Sequence, residues 1–476
     1  MELLFLSIIF VAALILSCIV LLKYKCDRGH PNLPPGSLGW PFIGETLEFI
    51  RSSQKGSPES FIKDRMEKYD NRVFKTSLLG EPGVAVFCGA TGNKFLFSNE
   101  NKLVVTWWPK SVNKLFQTCL ITTKGEEGRR MRKMLMTFLN PEALQRYIGT
   151  MDTIAQQHLG SHWEGKDVVK VFPLVKMFTF QLACCLFATI TEDEKIARLS
   201  QVFNVFLKGI IEIPLNFLGT RFYRAVKAAN MIRGELQTIL EQRKVDLEHN
   251  NAPRTQDLLS HMLVTPDESG RFLTEKEIVN NILVLLFAGH DTSGSTITML
   301  VKYLGELPHV YDKLFTEQRE IIVSKKPGEL LNWDDIGKMK YSWNVVSEVM
   351  RLSPPVMGTF REAICDFTYA GYTIPKGWKM YWSPFSTHKD SDFFPDSTNF
   401  DPSRFKGEGP SPYTYVPFGG GPRMCIGKEF ARLEILVFLH NLVKRFNWDI
   451  LFPDEKIEID PMPTPAKGLP IRLRPH

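Results

Sequence analysis

A short run near the C-terminus has the strongest claim to chemistry: Phe418-Gly419-Gly420-Gly421-Pro422-Arg423-Met424-Cys425-Ile426-Gly427. Its cysteine sits in a glycine-rich loop, just before a helix expected from Lys428. The amides at a helix N-terminus favour an anion, so this placement suits a thiolate that ligates a metal. Glycines without a Cβ let the backbone turn sharply and lie close to a flat partner. Zinc is unsupported, because Cys18, Cys26, Cys88, Cys119, Cys184, Cys185, Cys365 and Cys425 contain no C-x-x-C pair. Their wide, irregular spacing also does not read as a disulfide framework. The competing reading is a buried, inert cysteine.

A second cluster, Ala288-Gly289-His290-Asp291-Thr292-Ser293, interrupts an apolar helical run from Glu275 to Leu304. Thr292 lies four residues after Ala288, so its hydroxyl can bond back to that carbonyl and open a groove. Gly289 weakens the helix and leaves room beside it. On its own the cluster is a weak signal, equally a polar interruption of a core helix. A third, Glu348-Val349-Met350-Arg351, puts an acid and a base on one helix face. Phe400-Asp401-Pro402-Ser403-Arg404-Phe405 follows with a further arginine.

Together these motifs resemble those of cytochrome P450 enzymes, in the order found there. The cysteine loop fits F-x-x-G-x-R-x-C-x-G, the family's haem-binding signature, with its residues Phe418, Gly421, Arg423, Cys425 and Gly427. The resemblance implies haem b, with Cys425 as the thiolate ligand to iron, which favours O–O cleavage. It implies that Arg132, Arg361 and Arg423 reach haem propionates. It gives Thr292 and Asp291 the delivery of protons to bound O2. Glu348, Arg351 and Arg404 become a buried network that fixes the haem-side loop, since buried charges are costly unless fully paired. One position departs from the family: where W-x-x-x-R is usual, Gly128 stands in place of tryptophan while Arg132 is kept, leaving Arg129 and Arg130 as candidates to compensate. The expected substrate pocket takes Trp107, Trp108, Phe116 and Leu469. It also takes Val284 and Ala288, one helical turn apart, and Val356, Met357 and Gly358. Large aromatics in such places are more often core.

The elements that must hold these residues are mainly helical. Helical periodicity covers Ala225 to Glu248, Glu275 to Leu304, Trp343 to Leu352 and Glu429 to Phe446. Two hairpins are expected. One spans Val73 to Cys88 around Gly80-Glu81-Pro82-Gly83, and the other joins Tyr369–Ile374 to Trp378–Trp382 through Pro375-Lys376-Gly377. The fold class is therefore mainly α with small β portions, and the resemblance makes it a cytochrome P450 fold. With 476 residues, 44% hydrophobic, and no long polar linker, the body reads as one large catalytic domain over 46–476. Leu3 to Leu22 is nearly unbroken apolar sequence, long enough to span a bilayer. Lys23 and Lys25 follow it, so 1–22 reads as a transmembrane anchor with the body in the cytosol rather than a cleaved signal peptide. A proline-rich hinge fills 23–45. The greasy stretch from Val202 to Leu218 is either core or an apolar lid that dips into lipid.

The net charge of +6 is too diffuse for nucleic acid and fits an acidic partner or membrane surface. The resemblance supplies the partner, NADPH-cytochrome P450 reductase at the endoplasmic reticulum membrane; Arg129, Arg130, Arg132, Lys133 and Lys428 read as a basic face for it, or equally as a solvated charge run. NADPH itself is not expected on this chain, which has no G-x-G-x-x-G after a strand. Finer wording, including Leu33-Pro34-Pro35-Gly36, Trp107-Trp108-Pro109 and Tyr413-Thr414-Tyr415-Val416-Pro417, resembles the plant branch that oxidises triterpenoids, and within it the β-amyrin 28-oxidases. That implies a hydrophobic pentacyclic substrate, β-amyrin, carried through alcohol and aldehyde to oleanolic acid. Another terpenoid or sterol skeleton, such as a dammarane or taxane, is the alternative. A haem-thiolate isomerase or dehydratase needing neither O2 nor reductase is the alternative of another class, and a non-catalytic sterol- or haem-holding protein is a third.

Overall fold

The computed structural model describes residues 5, 7, 9–18, 32–40, 43–459 and 462–476. The body forms two compact units. The first holds Met1–Trp107 and Gly358–Thr387, the second Trp108–Met357 and His388–His476.

The first unit is built on a sheet. Its strands are β1 (Val73–Leu78), β2 (Glu81–Phe87), β3 (Val104–Trp107), β4 (Thr359–Ala363) and β7 (Lys379–Trp382), in the order β1-β2-β7-β4-β3. Valine and aromatic side chains on one face bury Phe74, Val84, Val86 and Tyr381 against Phe61. The hairpin expected over Val73 to Cys88 forms, turning where Leu79 and Gly80 take positive φ. The second hairpin is different from expectation. Its turn falls at Ala370-Gly371, both with positive φ, and pairs β5 (Phe367–Tyr369) with β6 (Tyr372–Ile374). β7 then leaves to pair with β2 and β4. The described part of the expected hinge is pinned to this sheet: Lys75 N–H donates to the Pro35 carbonyl at 2.8 Å. A Cβ on Gly36 would lie 2.0 Å from the Lys75 oxygen, so only glycine allows that approach.

The second unit is helical. The helices that position the site are α1 (Lys110–Phe116), α2 (Gly125–Leu139), α3 (Val171–Ala188), α4 (Asp193–Leu207), α5 (Arg221–Glu248), α6 (Glu275–Glu306), α7 (Lys340–Leu352) and α8 (Lys428–Arg445). The four helices expected from periodicity are all present, with ends shifted by up to four residues. A capping box starts α6: the Glu277 amide donates to the Thr274 hydroxyl, and the Thr274 amide to the Glu277 carboxylate. Its apolar residues are buried nearly all round, as in a central helix. α3 is long and apolar enough to cross a membrane, yet 61% of it is buried, which explains its composition as core.

Near the N-terminus, Ile9–Cys18 is an exposed apolar helix. Other parts of the expected 1–22 anchor, and 23–31, 41 and 42 of the hinge, lie outside the described residues. The greasy stretch from Val202 to Leu218 divides in two. Phe203 and Phe206 on α4 are core, whereas Ile211, Ile213, Leu215, Phe217 and Leu218 are exposed beyond its end.

Candidate active site

The cysteine loop is folded by its glycines and by its own backbone. Gly419 and Gly421 take positive φ, and the Cys425 amide closes the loop on the Phe418 carbonyl at 2.9 Å. Gly427 caps α8, and its amide faces the sulfur. Cys425 is exposed. Protein bulk around it raises the thiol above its ordinary pKa, while the Gly427 amide and the positive charge of Arg132 oppose that and favour thiolate.

Two arginines grip this loop. Arg132 on α2 donates from Nε to the Pro422 carbonyl at 2.8 Å and from Nη2 to the Met424 carbonyl. Arg423 reaches the other way, donating to the Thr123 carbonyl at 2.6 Å and the Leu120 carbonyl at 3.3 Å. The departure at Gly128 has a physical reason. A Cβ there would lie 2.6 Å from the Thr123 oxygen and 3.0 Å from Arg423 Nη2, so Arg423 occupies the space that a larger residue would need.

On α6, Thr292 Oγ1 donates to the Ala288 carbonyl at 2.7 Å, while Ala288 itself is exposed. Asp291, next to it, is buried and pairs with Lys176 Nζ of α3 at 2.6 Å. A Cβ on Gly289 would meet the Phe187 ring at 3.2 Å and the Phe430 ring at 3.6 Å, so this glycine admits close packing by aromatic neighbours. His290 is buried among Phe180 and Phe203, and burial pulls its pKa down to about 4.

Behind the cysteine loop, Glu348 and Arg351 of α7 pair through two contacts of 2.6 and 2.7 Å with no exposure of either side chain. Arg404 Nε lies 3.5 Å from the same carboxylate. Arg351 also donates to the carbonyls of His388, Ser397 and Asn399. From here a relay of bonds runs to the cysteine. His388 Nδ1 lies 3.3 Å from the Arg351 carbonyl, and its Nε2 accepts the Val416 amide at 2.9 Å, two residues before Phe418. The imidazole must be neutral to accept there, and burial holds its pKa down at about 3.

Arg361 lies on β4 in the first unit. Its Nε stands 2.6 Å from Glu100, and Nη1 donates to the Thr359 hydroxyl and the Phe360 carbonyl. The expected pocket residues also divide. Trp107 packs on Phe360 in the first unit, and Gly358 there lies against the Trp382 carbonyl, where a Cβ would sit 2.0 Å away. In the second unit, Trp108 donates to the Ile121 carbonyl at 2.9 Å, Val356 and Ala288 are exposed, and Met357 is half-buried. Phe116, Val284 and Leu469 are sealed in its core. Leu469 is held there because its carbonyl accepts the Val171 amide that begins α3.

The family model for Cytochrome P450 matches residues 34–471. This chain belongs to the cytochrome P450 family. Among curated relatives, the beta-amyrin 28-monooxygenase of Vitis vinifera is 59% identical over 480 residues, covering 100% of both chains. That of Medicago truncatula is 57% identical, covering 99% of this chain and 98% of its own. Among solved structures, retinoic acid bound cyanobacterial CYP120A1 has a TM-score of 0.85 at 32% identity, covering 94% of this chain and 100% of its own.

The cofactor of a P450 is haem with a thiolate ligand, and the donor set here fits it: one sulfur at a helix start, with an amide and a guanidinium that favour its anion. Arg132 and Arg423 stand beside that sulfur's loop as cations suited to propionates. Sequence reasoning missed Lys176 and His388, which reach Asp291 and the cysteine loop from distant segments with no motif of their own, and Glu100, which pairs with Arg361 in the first unit. It also missed Glu434 of α8, wholly buried opposite Ser293, whose carboxyl burial holds well above the usual range. The expected basic docking face is largely neutralised. Arg129 pairs with Glu126 and Arg130 with Glu127 one turn back on α2, while Asp267 and Glu268 of a neighbouring loop pair with Arg130 and Lys133.

Proposed function

We propose that this P450 is a monooxygenase that oxidises the C-28 methyl of β-amyrin through alcohol and aldehyde to oleanolic acid. The observation that carries the chemistry is the joint occurrence, in one unit, of the Cys425 loop and the Thr292–Asp291 pair. The substrate rests on the full-length identity to beta-amyrin 28-monooxygenases.

In this reading Cys425 is the ligand to iron, with Phe418 and Gly427 shaping the loop around it. Arg132, Arg361 and Arg423 hold the propionates. Bound haem supplies the activation of O2 and the transfer of one oxygen atom to carbon. Thr292 holds its hydroxyl against the Ala288 carbonyl, which leaves its oxygen lone pairs free to order a proton donor on the exposed side of α6. Asp291 carries protons towards it, and Lys176 holds that carboxylate in place between deliveries. The Glu348–Arg351–Arg404 network and His388 keep the cysteine loop in register. A damaged acid–alcohol pair would have favoured an isomerase, and both residues are intact here.

Electrons come from NADPH through a cytochrome P450 reductase. Lys428, exposed at the start of α8, is the basic residue left open to it among those first expected. Leu3–Leu22 anchors the chain in the endoplasmic reticulum with the catalytic body in the cytosol, since Lys23 and Lys25 follow the apolar run.

The test is co-expression with a plant reductase in yeast that makes β-amyrin, with products read by mass spectrometry. Erythrodiol, oleanolic aldehyde and oleanolic acid are the expected products. Untouched β-amyrin beside a normal carbon monoxide spectrum would remove this substrate and leave the enzyme class. Product formed without NADPH would remove the monooxygenase reading.

A further inference from the structure

A cleft of about 470 Å³ opens where α5, α6 and the end of α1 meet, with Gln117, Arg233, Gln237, Glu275, Lys276 and Asn280 among its lining residues. Arg233 is its unusual member. Its half-buried guanidinium donates from Nε to Asn280 Oδ1 at 2.8 Å and from Nη2 to the Leu115 carbonyl. Both acceptors are neutral. Among the described residues no carboxylate pairs with it, and burial pulls its pKa down. Arg65, Arg243, Arg351 and Arg361, the well-buried arginines elsewhere among the described residues, each hold a carboxylate. Glu275 shares the cleft but is taken by Lys244 at 2.8 Å and Gln237 at 3.0 Å. A partly desolvated cation without a counter-charge is costly, so the cleft is electrostatically complementary to an anion.

The cleft also has a place relative to the chemistry. Lys276, Asn280, Val284, Ala288 and Thr292 follow one another at four-residue steps along one ridge of α6, which turns about 40° around the axis at each step. The cleft covers the first two, and Thr292 lies about 18 Å further along the axis from Asn280. Between them Phe116 is fully buried, packing on Phe206 at 5.2 Å and Phe287 at 5.3 Å. The next residue, Gln117, has a φ of 53°, a strained joint at the end of α1.

We propose that this cleft is an exit station for an apolar carboxylic acid, with Phe116 as the door and Arg233, helped by Lys276, as the carboxylate receiver. The inference rests on the reading above that the final product is a triterpenoid acid. It gives the sequential oxidation a sorting rule. The alcohol and aldehyde carry no charge for Arg233 to attract, so they stay inside for the next round. The acid is drawn out once it ionises.

The experiment is equilibrium dialysis of the detergent-solubilised full-length holoenzyme with radiolabelled oleanolic acid and, separately, erythrodiol. In Arg233→Gln the acid should bind about tenfold more weakly, the worth of one charge-assisted hydrogen bond, with erythrodiol unchanged and Arg233→Lys recovering part of the loss. An unchanged acid affinity, or equal losses for both ligands, would overturn the proposal. If Arg233→Gln does not fold, Lys276→Gln decides: about threefold loss for the acid alone supports the proposal, and no loss overturns it. Dialysis needs no turnover. A chain that leaves β-amyrin untouched in yeast therefore fails the substrate reading without touching this measurement.

Discussion

Thr292 and Asp291 divide two tasks that a single side chain could not perform. The hydroxyl is fixed on its own helix and the carboxylate across to α3; in the proposed mechanism the first would order what lies beside it and the second would receive protons from outside. Thr292→Ala is expected to keep NADPH consumption and to lower product per NADPH by about tenfold or more, the low end of what positioned proton transfer contributes. Thr292→Ser should recover most of the coupling. His388 makes a second residue-level prediction. Its pKa is near 3 in the folded protein against an ordinary 6.5, so the unfolded chain binds the extra proton. The His388 contribution is therefore complete above about pH 6.5 and is lost as pH falls towards 3. Thermal melts over that window should show haem-site stability falling with acid, and His388→Asn should flatten the dependence. An equal slope in that variant would place the sensitivity elsewhere, with His290 and His440 the next candidates, since both are depressed to about 4 by burial.

At the scale of elements, Gly128 lets α2 come close to the Leu120–Thr123 turn with Arg423 between them. Gly128→Trp should displace that guanidinium and cost about 1–3 kcal/mol, as overpacking does, read as a lower melting temperature and reduced haem occupancy. The long helices were legible in advance because their apolar spacing repeats over many residues, and α8 and the cysteine loop because their chemistry is local in sequence. The Tyr369–Ile374 run was misread for the opposite reason. Pro375-Lys376-Gly377 has the composition of a turn, but Ala370-Gly371 makes the hairpin, and β7 finds better partners in β2 and β4. His388 and Lys176 could not be seen at all. Each is an ordinary residue until folding brings it to a partner 28 or 115 positions away, as the Val416 and Asp291 contacts do.

For the whole molecule, Ile211, Ile213, Leu215, Phe217 and Leu218 form an exposed apolar run on the second unit. Such a patch marks a surface that meets lipid or another apolar body. A chain lacking residues 1–22 should still partition to vesicles, and Phe217→Asp with Leu218→Asp should release it by about tenfold or more, given the area of two large side chains. Sedimentation with liposomes measures this directly, and unchanged pelleting of the doubly substituted chain would exclude the patch as a membrane contact. The strap at Asn32–Trp40 has a further consequence. Because the Asn32 carbonyl accepts the Thr373 amide and Pro35 and Gly36 are fastened to β1, only nine residues, 23–31, separate Leu22 from the first fastened residue. Fully extended they reach roughly 30 Å. Were Leu3–Leu22 embedded as proposed, that leash would keep the catalytic body within a thin layer above the bilayer, where it would meet a lipid-dissolved substrate by searching an area rather than a volume.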